Sequence, residues 1–211
     1  MAVNSFGVTV ISSLHEYRQR VAHNPERELV ELITLIPDLV LDIRYATARN
    51  LLGKPLYKQA RAFLRRPVAE ALRQVQQALR RLGLGLCVYD AYRPYTVTVQ
   101  FFEHVRDEKF AAPPWRGSRH NRGCSVDVGL VEQASGRPLP LPTDFDELLP
   151  ATDSRYSQLP PHVLFNRSIL LAAMKLHGFV NYSGEWWHFD HPSWADFDLL
   201  DLSFEELSQA G

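Results

Sequence analysis

The run Ser118-Arg119-His120-Asn121-Arg122-Gly123-Cys124-Ser125-Val126-Asp127-Val128-Gly129-Leu130 reads as a polar turn feeding a β-strand. Along the strand, Cys124, Val126, Val128 and Leu130 share one face, while Ser125, Asp127 and Gly129 share the other. The first face belongs to a core. The second carries a carboxylate on an otherwise apolar strand, and a carboxylate in that setting needs a partner. His120 lies across the Gly123 turn, so one short stretch delivers an imidazole and a carboxylate to the same neighbourhood.

Working outward, residues 84–89 form another strand, which leaves through Asp90-Ala91-Tyr92-Arg93-Pro94. The spacing of Val68, Leu72, Val75, Leu79 and Leu82 predicts a helix over 67–81, with proline in its first turn and Gly83 as its stop. A second helix is expected over 96–109, and Pro113-Pro114 opens an irregular stretch that ends near Ser118. Residues 31–45 are expected to make two short strands around a Pro37-Asp38 turn. The segment 136–160 holds five prolines and reads as a long surface excursion. Asn166 is expected to cap a helix to His177, stopped by Gly178, followed by a hairpin over 179–189 around Ser183-Gly184. The acidic tail from Trp194 reads as a docked terminal helix. Helices and strands mix without a βαβα rhythm. That predicts an α+β fold, a central antiparallel sheet flanked by helices, in a single domain over residues 1–211.

A chain of 211 residues buries enough surface to fold without disulfides or partners. A net charge of −1 and the lack of a basic, aromatic-interleaved stripe argue against nucleic acid or an anionic membrane as partner. No apolar run approaches the ~18–20 residues that span a bilayer. The first 13 residues have no basic stretch ahead of their apolar part, so no signal peptide is expected. Together with only two cysteines, Cys87 and Cys124, this points to a cytoplasmic protein, in monomeric or homo-oligomeric form.

Histidines and carboxylates concentrate in residues 118–127 and in Gly184-Glu185-Trp186-Trp187-His188. A hydrolytic zinc takes three protein ligands and keeps a fourth position open. His120 and Asp127 fit two of those places and His188 a third, which leaves Glu185 as acid and base. Either spacing alone is a weak pattern.

Further segments strengthen it: Asp42-Ile43-Arg44-Tyr45-Ala46-Thr47, residues 53–57, Asp90-Ala91-Tyr92-Arg93-Pro94, Thr143-x-Phe145-Asp146, Asn166-Arg167 and Glu185-Trp186-Trp187-His188-Phe189. In this combination and order the chain resembles the zinc peptidases of the hedgehog/D,D-peptidase fold, and among them the VanX-like D-Ala-D-Ala dipeptidases, over a core of residues 41–189. The resemblance implies one zinc per chain on His120, Asp127 and His188, with Glu185 as base. It further implies that Arg93 stabilises an oxyanion, that Asp90 supports Arg93, and that Asp146 and Ser118 hold a small dipeptide substrate. Two departures bear on the substrate pocket: Cys124-Ser125 replaces a small apolar pair, with Ser125 facing inward, and Leu141-Pro142 precedes Thr143.

Plainer readings stand beside these. Arg93 paired with Asp90 is also a structural ion pair, and Glu185 also fits a supporting carboxylate. Trp186 and Trp187 read as wall and core, Cys124 as core, and His191 as structural. His15, His23, His104, His162 and His177 read as surface histidines, and Arg61, Arg65, Arg66, Arg80 and Arg81 as a solvated face. A D,D-carboxypeptidase or endopeptidase of the same fold, acting on longer peptides, is the nearest alternative function. A non-catalytic metal- or peptide-binding module is the more distant one.

Overall fold

The computed structural model describes residues 3–108 and 110–208. Lys109, the expected end of the second helix, lies outside them, as do Met1, Ala2 and residues 209–211 of the tail. The chain runs through β1 (Val10–Ile11), α1 (Leu14–His23), β2 (Leu29–Glu31), α2 (Leu32–Leu35), β3 (Val40–Leu41), β4 (Phe63–Arg65) and α3 (Arg66–Arg80). It continues through β5 (Leu84–Asp90), α4 (Tyr95–Val105), β6 (Ser125–Glu132), α5 (Pro161–Leu176), β7 (Val180–Asn181), β8 (His188–Asp190), β9 (Leu199–Leu200) and α6 (Phe204–Ser208).

Five strands form the central sheet in the order β3-β5-β6-β8-β7. All neighbours in it are antiparallel except β3 and β5, so the expected α+β architecture holds with one parallel pair at an edge. Two small ribbons flank it: β2 with β4, antiparallel, and β1 with β9, parallel. Helix α3 covers the sheet because its Val68, Leu72, Val75 and Leu79 form one apolar stripe, all fully buried. Leu170 and Met174 of α5 enter the same core.

Several expectations shift. The first half of the 31–45 segment is a helical turn, α2, with Ile36 N–H bonded to Leu32 O at 2.7 Å. A short continuous apolar run carries no period, so it fits a buried strand or a buried turn equally. Helix α5 starts at Pro161, ahead of Asn166, whose side chain donates instead to Pro140 O at 2.9 Å. Proline is tolerated in a first helical turn, so the Pro160-Pro161 pair starts this helix as well as ending the loop. The tail is not a helix from Trp194. A 3-10 turn (Pro192–Asp196) leads into β9, and among the described residues only the single turn α6 follows. The tail does dock: Tyr92 Oη donates to Leu202 O at 3.0 Å, and Asp201 accepts the Thr96 N–H at 2.9 Å, capping α4. Arg65 leaves the expected solvated face altogether. It is 1% exposed and its guanidinium spans Arg122 O, Arg27 O and Asp198 O, tying three segments together.

Gln76 on α3 closes a gap in the hydrogen bonding of β5. Its Oε1 accepts the Leu86 N–H at 2.8 Å, and its Nε2 donates to Asp38 Oδ2 at 2.8 Å and to Gln133 Oε1 at 3.2 Å. Gln76→Leu keeps the volume and strips the Leu86 N–H of its partner. Urea unfolding should show a loss of about 1–3 kcal/mol, the cost of a buried unsatisfied donor; an unchanged midpoint would mean another acceptor replaces it.

Candidate active site

At one end of the sheet β5 finishes at Asp90, β6 starts at Ser125 and β8 starts at His188. Strand register then decides which side chains meet. Asp127 pairs across with His188, and Ser125 with Asp190. On the other flank of β6 the ladder shifts between Val88 and Asp90, which sets Asp90 opposite Asp127. His120 arrives from the 3-10 turn His120–Arg122, which Gly123 closes in the left-handed region at φ 69°. A side chain at Gly123 is doubly excluded, since a Cβ would lie 2.6 Å from Leu29. The turn leans on the tail: Arg122 donates to Phe197 O, and a Cβ on Gly117 would collide with Leu199.

His120, Asp127 and His188 offer one ligand atom each in a common cluster. His120 Nδ1 lies 2.7 Å from Ala91 O, so it carries the proton and leaves Nε2 as the donor atom. That Nε2 is 3.2 Å from His188 Nδ1 and 3.5 Å from Asp127 Oδ1, and His188 Nδ1 is 3.0 Å from the same oxygen. Ligand atoms about 2.0–2.1 Å from a tetrahedral zinc lie ~3.3–3.4 Å from each other, so the three atoms already have the edges of such a site. Burial would raise the Asp127 carboxyl, but the two imidazoles outweigh it and hold the group well below its ordinary range. The residues present therefore fit a divalent metal of the zinc type.

Glu185 follows a turn braced by Asn181, whose amide donates to Glu185 O and His188 O, both at 2.9 Å. Its Oε2 comes within 3.9 Å of His188 Nδ1, and burial pushes its carboxyl up to about 7. Arg93 is fixed by Asp90: Nε and Nη2 donate to Asp90 Oδ2 at 2.9 and 2.8 Å, while Tyr57 Oη donates to Asp90 Oδ1 at 2.8 Å. The Tyr45 and Phe101 rings, whose centroids are 5.0 Å apart, lie together against the guanidinium, 4.9 and 5.3 Å from it. The ion pair and the cavity-lining position coexist in Arg93.

Asp146 comes over from the long loop with φ 64°, a conformation rare outside glycine that marks a constrained position. Its Oδ1 accepts from Tyr45 Oη at 3.1 Å and its Oδ2 faces the Leu51 N–H at 3.4 Å. Ser118 lines the site too, and its Oγ accepts the His120 N–H at 3.2 Å. Every sequence-nominated site residue except the buried support Asp90 borders one open cavity of about 480 Å³. Sequence reasoning assigned no role to Tyr45 and Tyr57, which hold Asp146 and Asp90, or to Asp190 behind His188. Alternation along β8 from His188 was the available signal for Asp190. Ser125 does not shape the pocket as expected; it is fully buried and donates to Asp190. His191 stays structural, against Ser193 Oγ at 2.7 Å, and Cys124 is core.

A carboxylic acid held near neutrality beside a His/Asp/His cluster in an open cleft is the equipment of a hydrolase, and the comparisons with known proteins make this one a peptidase. The family model Peptidase_M15, described as D-ala-D-ala dipeptidase, matches residues 25–207, and the chain belongs to that family. The D-alanyl-D-alanine dipeptidase of Escherichia coli K12 is 36% identical over 177 residues, covering 84% of this chain and 91% of that one. The D-alanyl-D-alanine dipeptidase of Enterococcus faecalis V583 is 29% identical over 168 residues, 70% of this chain and 83% of that one. For Streptomyces coelicolor the dipeptidase of the same description is 27% identical over 191 residues, covering 78% and 95%. Among the described residues no helix is long and apolar enough to cross a membrane.

Burial pushes the Asp146 carboxyl up to about 7, with Asp127 adding to the rise and Arg93, the Leu51 N–H and Tyr45 opposing it. An unfolded aspartate titrates near 3.9 (approximately), so between about pH 4 and pH 7 the native chain holds a proton that the unfolded chain has released. Stability should then fall as pH rises through that window. Asp146→Asn cannot titrate, so urea unfolding with chelator present should show the wild type losing stability relative to the variant from about pH 4 to about pH 7. Parallel curves would show that Asp146 is ionised throughout.

Proposed function

We propose that the chain is a zinc-dependent D,D-dipeptidase that hydrolyses D-Ala-D-Ala, or a close D,D-dipeptide, to free amino acids. The observation that carries this is the trio of donor atoms on His120, Asp127 and His188, 3.0–3.5 Å apart, with the Glu185 carboxyl beside them. The family and the relatives named above support the substrate class. The reading includes one zinc per chain, one catalytic unit spanning the chain, and a cytoplasmic location.

Zinc at that trio supplies a Lewis acid for the scissile carbonyl and makes water a nucleophile near neutral pH. The chain's own residues do the rest. Glu185, poised near neutrality, takes a proton from the attacking water and returns it to the leaving amine. Arg93 keeps a permanent charge against the carbonyl oxygen as it becomes anionic, and its grip on Asp90 fixes the guanidinium plane in advance. Asp146, lining the same cleft, pairs with the free ammonium of a dipeptide, and that pairing restores its ionised form. In a longer peptide the same nitrogen is an uncharged amide, so the buried carboxylate would lose its cation. Ser118 has a hydroxyl hydrogen left for the substrate, since its oxygen is already accepting.

Metal-loaded protein incubated with D-Ala-D-Ala, L-Ala-L-Ala and a muramyl pentapeptide should release alanine from the first alone. Chelator should stop the reaction and zinc should restore it. Release from the pentapeptide at the same rate would make the enzyme a D,D-carboxypeptidase, and no release from any would leave a binding module. Glu185→Gln should lower turnover by ~10²–10⁴ with zinc content intact; loss of zinc would make Glu185 a ligand. Arg93→Ala should lower kcat by ~10²–10³ with a smaller change in KM, whereas a dominant KM effect would assign it to ground-state binding.

A further inference from the structure

Asp190 is buried, charged and absent from the mechanism above. Its Oδ1 receives two donors, His188 Nε2 at 3.0 Å and Ser125 Oγ at 2.5 Å. Its Oδ2 pairs with Arg119 Nη1, and the Arg119 guanidinium lies over Trp194, 4.6 Å from the ring centroid. The arrangement follows from strand geometry. Ser125 and Asp127 are two apart on β6, and His188 and Asp190 are two apart on β8. The register pairs Ser125 with Asp190 and Asp127 with His188, so both pairs lie on one face, side by side. An imidazole has two nitrogens and two ring orientations, and only Nδ1 of His188 points at Asp127 and His120. A carboxylate bonded to Nε2 keeps the proton there, leaves Nδ1 bare and stops the ring from turning.

We propose that Asp190, clamped by Ser125 and Arg119, is a positioning residue that fixes the tautomer and ring orientation of His188 and so sets how tightly the His120–Asp127–His188 group holds a divalent cation. This rests on the reading of that group as a metal site. It also explains Ser125, which stands where the resembling dipeptidases have a small apolar residue: it is fully buried and does not border the cavity, and its hydroxyl donates to Asp190, which does. A buried carboxylate that serves one imidazole needs further donors to remain ionised, and Ser125 and Arg119 provide them.

The test measures zinc affinity of the full chain by competition with a chromophoric chelator, alongside the nitrogen-bound proton signals of the histidines in the zinc-loaded protein. Asp190→Ala should weaken zinc ~10–100-fold and remove the sharp Nε2–H signal of His188. Ser125→Ala should give a smaller loss, and none in the Asp190→Ala background, because it acts through Asp190. Asp190→Asn retains an acceptor and should lie between wild type and Asp190→Ala; it carries the test if the alanine variant fails to fold. Wild-type affinity and an unchanged His188 signal in Asp190→Asn and Ser125→Ala would overturn the proposal, as would additive losses in the double variant. If His188→Ala binds zinc as tightly as wild type, the metal-site reading fails first and takes this proposal with it.

Discussion

The pairing of β6 with β8 is the constraint on which the site depends. Three residue pairs are in register there, Ser125 with Asp190, Val126 with Phe189 and Asp127 with His188. The middle pair is apolar and fully buried, and the outer two are polar and face the other way. A slip of β8 by one residue would turn Phe189 out of the core and His188 and Asp190 into it. Hydrophobic burial of two side chains therefore enforces the alignment of four polar ones. The core supplies the precision, and the chemistry inherits it.

Charge is arranged around that pairing so that the buried ions have counterparts close by. Asp90 and Arg93 pair across the exit loop of β5, with Tyr57 on the free carboxylate oxygen and the Tyr45 and Phe101 rings together against the guanidinium. Asp127 sits against both imidazoles, and Asp190 against an imidazole, a hydroxyl and a guanidinium. Glu185 and Asp146 are the exceptions: burial raises both to about 7, and it outweighs the opposing pull of His188 on the first and Arg93 on the second. A cleft whose fixed charges are satisfied except for two carboxyls has its spare capacity for a proton and a cation in those two places.

Much of this was legible from residue types and periods. Alternation along residues 124–130 placed Asp127 opposite the core face, and the apolar stripe of α3 and the Ser183-Gly184 hairpin were equally plain. His120, Asp127 and His188 do meet, and Arg93, Glu185, Asp146 and Ser118 line the cavity they share. What escaped has a physical reason in each case. Residues 32–36 are apolar without a period, so burial could not be told from secondary structure. Arg65 looks like a surface cation because its partners are carbonyl oxygens, which exist in every residue and leave no mark in a sequence. Asp190 looks like an ordinary hairpin carboxylate because Arg119 and Ser125 join it from 71 and 65 residues away.

The parallel ribbon of β1 and β9 joins Val10 to Leu199 and Ile11 to Leu200, nearly the full span of the chain. The His120 turn rests on that late segment, through Arg122 on Phe197 O and Gly117 beneath Leu199. During synthesis the imidazole and its seat are thus made about eighty residues apart, ~4–16 s at the usual elongation rates. Until Leu199 emerges, the turn has no floor, and His120 has no fixed place beside Asp127 and His188. A chain that stops short of Leu199 carries all three of these side chains but lacks the seat that holds the first of them.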